Sequence, residues 1–369
     1  MALEFGIFDT FSVPDWESGR RAEMYDRHIE GARIAEEAGF KSLFFIEHQN
    51  PPVPCISAPP VYLAALAAAT SQLRLGAMVF QVPMYNPIRL AQDVALVDQL
   101  SKGRVEFGIG YGVVASEFEP WKLNFNERRA MGVEALEIVL QAWTNKEVTY
   151  RGKYWTFERA RPEAQPYQQP HPPLWMGGHS RDSMDYAIEK KFPLSQIHGT
   201  EKVIAERFEY FRNAWSQRGN AGPPPRTLLV REVHVAETDE KARAQAEPYM
   251  LEGLLGRFGV QRAKLLRPDE ASPERLENAK LYLKTAESFD FWIDEGLAFV
   301  GSPETVIRKI KEQQQLIGYD VLLTHHTINS MPQDLWTKSV KLFGKEVMPA
   351  FRSAKSAARV VGGTLVGNE

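Results

Sequence analysis

The sequence has almost no cysteine. Cys55 stands alone in 369 residues, so no intramolecular disulfide framework is available and the chain reads as one of a reducing compartment. A long apolar run is missing as well. The longest uninterrupted one, Val61 to Ala69, is far short of the ~20 residues that span a bilayer. "MALEFGIFDTF" has no basic stretch leading into an apolar one, so neither a membrane anchor nor a secretory leader is expected, and a cytoplasmic location is. Charge of one sign is also lacking: a net charge of -3 offers no basic field for nucleic acid or anionic lipid. We find no fixed-period repeat and no low-complexity segment. What is present, 44% hydrophobic and 25% charged residues, is ordinary for a globular enzyme or binding protein, and the length allows two domains or one large α/β unit with insertions. A small molecule is the default partner.

Strand-like and helix-like segments alternate from the start, the pattern of parallel βαβ units. Strands are expected at Leu3–Phe8, Lys41–Ile46, Arg74–Gln81, Arg104–Gly110, Pro172–Gly178, Phe192–Ile197, Thr227–Val235 and Tyr319–His325. Helices fall between them, one ending at Gly39 and another opening on Pro87, residues suited to a helix end and a helix first turn. Eight such units predict an α/β fold of the (β/α)8 TIM-barrel type, occupying 1–369 as a single domain. The surplus length has two homes. "VTYRGKYWTF" reads as a β-hairpin and, with its proline-rich connector, fills 147–170; the stretch 247–295, after the seventh strand, is expected to be a lid insertion whose aromatics Phe258, Phe289, Phe291 and Trp292 could line a pocket.

In such a barrel the active site lies at the C-terminal ends of the strands. Those ends carry Glu47 and His48 in "FFIEHQN", Gln81, Tyr111, Gly177 and Gly178, His198, and His325 with His326. A metal site is the first reading to test, but neighbouring strand residues face opposite ways, and no HxH or HExxH spacing occurs; no metal is expected. "GGHSRDS", at a strand-to-helix turn, can cradle a phosphate: glycine allows close approach, the helix start offers unpaired N–H groups, and Ser180 and Ser183 add hydroxyls. Taken alone, an N-cap and a tight turn explain the same residues. His48 can serve as a general acid or base, or simply as a hydrogen-bonded histidine at a strand end. "GIGYG" at Gly108–Gly112 lacks the last glycine of a dinucleotide fingerprint.

Together these residues make the chain similar to the bacterial luciferase-like flavin monooxygenases. "FFIEHQN" resembles that family's second-strand ending, "LRLGAMVFQVPMYNPIRLAQDVALVDQLSKGRVEFGIGYG" its third and fourth units, and "QPHPPLWMGGHS" and "VGSPETVIRKI" follow in the family's order. The resemblance implies a barrel that binds reduced FMN, lets it react with O2 to a C4a-peroxyflavin, and passes one oxygen atom to a small organic substrate. A separate NAD(P)H:flavin reductase would supply the FMN. His48 matches the family's catalytic histidine, with Glu47 in support. Gly178, His179, Ser180 and Ser183, with Tyr111, match the phosphate site, and Met78–Val79 the non-prolyl cis peptide under the flavin ring. By position alone His198, His325, His326 and Arg231 are pocket candidates, and we assign His198 and His326 to the substrate. The alanine-rich helix around "VYLAALAAAT" implies a homodimer.

Two departures stand out. Tyr111 replaces an arginine that grips the phosphate in the luciferases proper, and Gln49 replaces a second histidine. The first leaves open an F420-dependent hydride-transfer enzyme on the same barrel. A non-catalytic luciferase-like subunit is the third reading.

Overall fold

A computed structural model of the chain describes residues 2–11, 21–49, 56–197, 199–251, 273–326 and 330–352. Its strands are β1 (Glu4–Asp9), β2 (Ser42–Phe45), β3 (Arg74–Gln81), β4 (Val105–Gly110), β5 (Val148–Arg151), β6 (Thr156–Ala160), β7 (Leu174–Gly177), β8 (Leu194–Gln196), β9 (Thr227–Val235), β10 (Ala298–Gly301) and β11 (Val321–His325). All the pairings outside the β5–β6 hairpin are parallel, and they run β1-β2-β3-β4-β7-β8-β9-β11 and back to β1. This is the expected (β/α)8 barrel.

Strand alternation divides the apolar residues between two cores. Phe8, Phe44, Met78, Trp175, Leu228, Val230, Val321 and Leu323 fill the barrel interior. Their neighbours Ile7, Leu43, Phe45, Leu229 and Leu322 face outward and join a larger core under the helices. Each fully buried phenylalanine or leucine contributes about 1.5–3 kcal/mol of transfer free energy, so a one-residue slip in any strand would cost the fold several such terms.

The outer layer consists of α1 (Arg21–Glu37), α2 (Pro59–Ala69), α3 (Pro87–Ser101), α4 (Arg128–Thr144), α5 (Arg181–Lys190), α6 (Glu201–Gln217), α7 (Asp239–Met250), α8 (Pro273–Glu287), α9 (Phe289–Asp294), α10 (Pro303–Ile317) and α11 (Gln333–Leu342). Local chemistry sets their ends. Ser302 accepts a hydrogen bond from Thr305 N, Pro303 opens α10, and Gly318 closes it with φ 75°. Among the described residues no helix is long and apolar enough to cross a membrane.

The hairpin forms where expected. Glu134 of α4 holds its tip by accepting from the backbone N–H groups of Lys153, Tyr154 and Trp155 at 3.0, 3.0 and 2.9 Å. The stretch 247–295 is described only in part. Helix α7 already covers its first residues, 252–272 lie outside the described residues together with Phe258, and α8 and α9 cover most of the rest. Phe289 and Trp292 belong to the outer core, and Trp292 Nε1 donates to Thr285 O at 2.8 Å, so these two aromatics pack the fold rather than a pocket. Strand β10 was not foreseen: it is four residues long and pairs with the far half of β9, Glu232–Val235.

Candidate active site

The interior floor is set by backbone choices in three strands. The Met78–Val79 peptide is cis, as the family resemblance implied, and it coincides with a shift in the β3–β4 register between Ala77 and Phe80. Val79 occupies room left by glycines. A Cβ on Gly110 would lie 1.9 Å from Val79 Cγ2, and one on Gly177 would lie 2.5 Å from Val79 Cγ1.

At the end of β2, alternation continues past the strand and decides which residue of the Glu-His pair looks inward. Ile46 packs with the interior residues and Phe45 with the outer core, so His48 shares the inward side and Glu47 the outward one. His48 Nδ1 lies 2.6 Å from Glu117 Oε1, with Glu117 only 1% exposed. An ionised carboxylate can only accept, so the proton resides on Nδ1. The other oxygen, Oε2, accepts from Gln81 Nε2 at 2.7 Å and from the Gln49 backbone N–H at 3.4 Å. Sequence reasoning missed Glu117; its one signal is a carboxylate in the loop after a barrel strand, shared with Glu119.

Glu47 is a buried bracket. It accepts from Tyr85 Oη at 2.6 Å, Gln81 N at 2.7 Å and Gln49 Nε2 at 2.9 Å. Burial pushes its carboxyl up to about 7, against these three donors and with some help from the nearby Glu117 carboxylate. Gln49 thus has a role in place of a second histidine. Its amide donates both to Glu47 Oε1 at 2.9 Å and to Ser57 O at 2.8 Å.

Across the mouth, β7 runs into α5. Ser180 is the N-cap, accepting from Ser183 N, and the two hydroxyls are 3.0 Å apart. Gly178 has to be glycine: a Cβ there would meet Ser183 Cβ at 2.4 Å. At the end of β8, Gln196 Nε2 donates to Gly178 O at 2.6 Å, and its Oε1 lies 3.1 Å from His179 Nδ1. Arg207 of α6 donates to that same Oε1 at 3.2 Å, and its guanidinium is also 3.3 Å from His179 Nδ1. Sequence reasoning missed Arg207, which brings a positive charge to the cradle from a helix that carries no motif. Arg129 of α4 pairs with Asp182 in the first turn of α5 at 2.6 Å, so its charge is offset there.

Tyr111 lies between α4 and α5, and a Cβ on Gly132 would sit 2.3 Å from its ring. Its hydroxyl is buried and forms no well-aligned hydrogen bond among the described residues. Burial first, then the neighbouring Tyr186 hydroxyl, hold this phenol well above its ordinary range. A buried hydroxyl with no well-aligned partner among the described residues, and the open N–H groups at the start of α5, are what a bound phosphate would satisfy, so these residues fit a phosphate-bearing cofactor.

The remaining candidates separate. His325 faces inward on β11: Nε2 is 2.7 Å from Thr10 Oγ1 and Nδ1 is 2.7 Å from Glu232 Oε2. His326, which we had assigned to the substrate, is one residue further and faces the other way. It bonds Ser339 Oγ at 2.9 Å, packs edge-on to Phe40 and Phe343, and lines a cavity of about 20 Å³ between barrel and helices with Asp9, His28 and Trp336. Burial, with His234 and His325 nearby, holds it well below the usual histidine range. Arg231 is also outward and buried, and its Nη1 donates to Val230 O at 3.3 Å. His198 lies outside the described residues. Among the described residues no cluster of histidine, cysteine and carboxylate side chains could hold a metal ion.

Comparison with known proteins gives this arrangement a context. The family model described as luciferase-like monooxygenase matches residues 3–320. The oxygenase component of the flavin-dependent trigonelline monooxygenase of Acinetobacter baylyi is 23% identical over 327 residues, covering 79% of this chain and 89% of that protein. Among solved structures, the oxygenating constituent of 3,6-diketocamphane monooxygenase from Pseudomonas putida, a type II Baeyer–Villiger enzyme in complex with FMN, matches with a TM-score of 0.79 at 23% identity, covering 96% of this chain and 100% of that one. An F420-dependent secondary alcohol dehydrogenase in complex with an F420–acetone adduct matches with a TM-score of 0.71 at 19% identity, over 96% and 100%.

Proposed function

The chain belongs to the luciferase-like monooxygenase family, an oxidoreductase by that membership, and from this premise we propose that it is an FMN-dependent oxygenase. It would insert one atom of O2 into a small apolar organic molecule and receive its reduced FMN from a separate NAD(P)H:flavin reductase. The observation that carries the proposal is the pairing of a buried imidazole–carboxylate, His48–Glu117, with a helix-start cradle and a buried Tyr111 hydroxyl that forms no well-aligned hydrogen bond among the described residues.

In this reading the cradle at Gly178, Ser180 and Ser183 holds the cofactor phosphate, Arg207 supplies positive charge, and the Tyr111 hydroxyl donates to a phosphate oxygen. Reduced FMN, when bound, supplies the two electrons that activate O2. His48 moves a proton at Nε2 while Glu117 keeps Nδ1 protonated and the ring fixed. Phe8, Phe44, Met78 and Trp175 exclude water from the floor. The oxygenase component from A. baylyi is the relative that supports a separate reductase.

The second reading, hydride transfer with F420, is favoured by one observation: Tyr111 gives the phosphate a single neutral donor instead of a bidentate cation. Anaerobic titration decides between them. We expect reduced FMN to bind more tightly than reduced F420 and to lose affinity in Ser180→Ala; preferential binding of F420 would overturn the proposal. We also propose a homodimer through α2 and α3, where Val61, Leu96 and Leu100 are 72%, 53% and 60% exposed. A monomer in sedimentation would refute it.

A further inference from the structure

The cavity of about 20 Å³ beside His326 is walled by β1, β2, α1, α11 and the residue that follows β11. The titratable side chains in its wall are Asp9, His28 and His326. Asp9 ends β1, and His28 of α1 places Nδ1 2.9 and 2.8 Å from its two carboxylate oxygens. Gly31 of α1 and Trp336 of α11 close the space tightly, since a Cβ on Gly31 would lie 2.7 Å from the Trp336 ring.

His326 is 1% exposed, and its Nε2 has no hydrogen-bond partner among the described residues. The serine on the other side of the ring decides where the proton sits. Ser339 Oγ accepts from the Val235 N–H at 2.8 Å and lies 2.9 Å from His326 Nδ1. With the ring proton on Nδ1, Oγ would accept twice and the serine hydrogen would be buried with no acceptor among the described residues. With the serine donating to Nδ1, every group on that side is satisfied. Burial, with His234 and His325 nearby, keeps the ring neutral, so its one proton is on Nε2. A buried N–H left without an acceptor is costly, and the wall of the cavity supplies the Asp9 carboxylate, with room for about four donors. A water needs ~10–15 Å³ and two to four polar partners. The space offers it both and is too small for an organic ligand.

We infer that this cavity is a binding site for a single water molecule, which accepts from His326 Nε2–H and donates to the Asp9 carboxylate beside His28. The water joins the ends of β1 and β11 to helices α1 and α11. His326 then serves the fold as a water ligand instead of serving the substrate. The inference is independent of the flavin reading, and its test needs no cofactor.

The test combines nitrogen-15 NMR of the histidine rings in the flavin-free full chain, with His326 assigned from His326→Gln, and a high-resolution crystal structure of the same chain. The expected ring is neutral with its proton on Nε2, and that proton shows laboratory-frame and rotating-frame cross-peaks of opposite sign to the water resonance, the signature of a long-lived bound water. The crystal should hold one water oxygen within hydrogen-bond distance of both Nε2 and an Asp9 oxygen, and His326→Phe should lose it. A ring protonated on Nδ1, an Nε2–H without a water cross-peak, a wild-type cavity without density, or a water retained unchanged in His326→Phe would overturn the inference. The first three are read on the wild-type chain, so a variant that fails to fold leaves the test intact.

Discussion

Replacing Glu117 by glutamine keeps the volume of the buried side chain and removes only its charge and one acceptor. The wild-type carboxylate accepts on both oxygens, from His48 Nδ1 at 2.6 Å and from Gln81 Nε2 at 2.7 Å. An amide cannot accept on both, so its NH2 group has to meet one of these donors. If it faces His48, the imidazole moves its proton to Nε2, the nitrogen proposed to serve the cofactor. If it faces Gln81, that amide can rotate and offer Oε1, which has no partner among the described residues, giving up the long 3.3 Å bond from its Nε2 to Glu47 O. The second arrangement is the less costly one. It leaves His48 held by a neutral acceptor instead of a charged one, a loss of about 1–1.5 kcal/mol. With tenfold in rate for each ~1.4 kcal/mol, proton-dependent reoxidation of bound reduced FMN on admitting air should slow roughly tenfold in Glu117→Gln. Reduced-FMN affinity should stay within about twofold and the thermal midpoint within about 3 °C. Glu117→Ala leaves two or three buried donors unpaired, at about 1–3 kcal/mol each, and should lose both rate and stability. A Glu117→Gln enzyme that reoxidises at the wild-type rate would refute the assignment of Glu117 as the group that positions His48.

Other outcomes follow from the same geometry. Tyr111→Phe removes a buried hydroxyl that has no good partner among the described residues, so calorimetry of the flavin-free protein should show no loss of stability, while anaerobic titration shows about tenfold weaker reduced FMN. Gly178→Ala would push a Cβ to 2.4 Å from Ser183 Cβ, and reduced-FMN binding should fall at least tenfold with the fold retained by circular dichroism. The Glu47 carboxyl is raised from an ordinary 4.5 to about 7. Between these values the folded chain holds a proton the unfolded chain has lost, so stability falls as pH rises through the window. Denaturant titrations of Glu47→Gln against wild type should therefore favour the variant progressively, by up to ~3 kcal/mol from pH 4.5 to pH 7. His234 and His326, both lowered chiefly by burial, act in the opposite sense. Their contribution is complete above the unfolded histidine value of ~6.5 and is lost as pH falls below it, so His326→Gln should flatten the acid limb.

The barrel was legible because its strands are apolar on both faces and separated by helices with readable caps. The second-strand ending was legible too, since a charged pair closing an apolar run needs a reason. What was not legible depended on alternation at strand ends and on contacts between distant segments. His325 and His326 are adjacent in sequence and point to opposite sides of the strand, and nothing in "LLTHHT" says where the alternation starts. Glu117 and Glu119 look alike as letters; one is buried against His48, 69 residues away, and the other faces solvent. Arg207 lies on a helix face without a motif, and only the closing of β8 against β7 brings Gln196 under it. β10 is too short to outweigh the helical stretches on either side.

Isotope labelling tests the oxygenase reading most directly. The purified chain would be supplied with reduced FMN, cyclic alcohols and ketones, and oxygen-18 gas, and the products weighed by mass spectrometry. The account predicts one labelled oxygen atom per product molecule, none from labelled water, and no product without O2. Oxidised product formed under strict anaerobiosis, or carrying only oxygen from water, would contradict it.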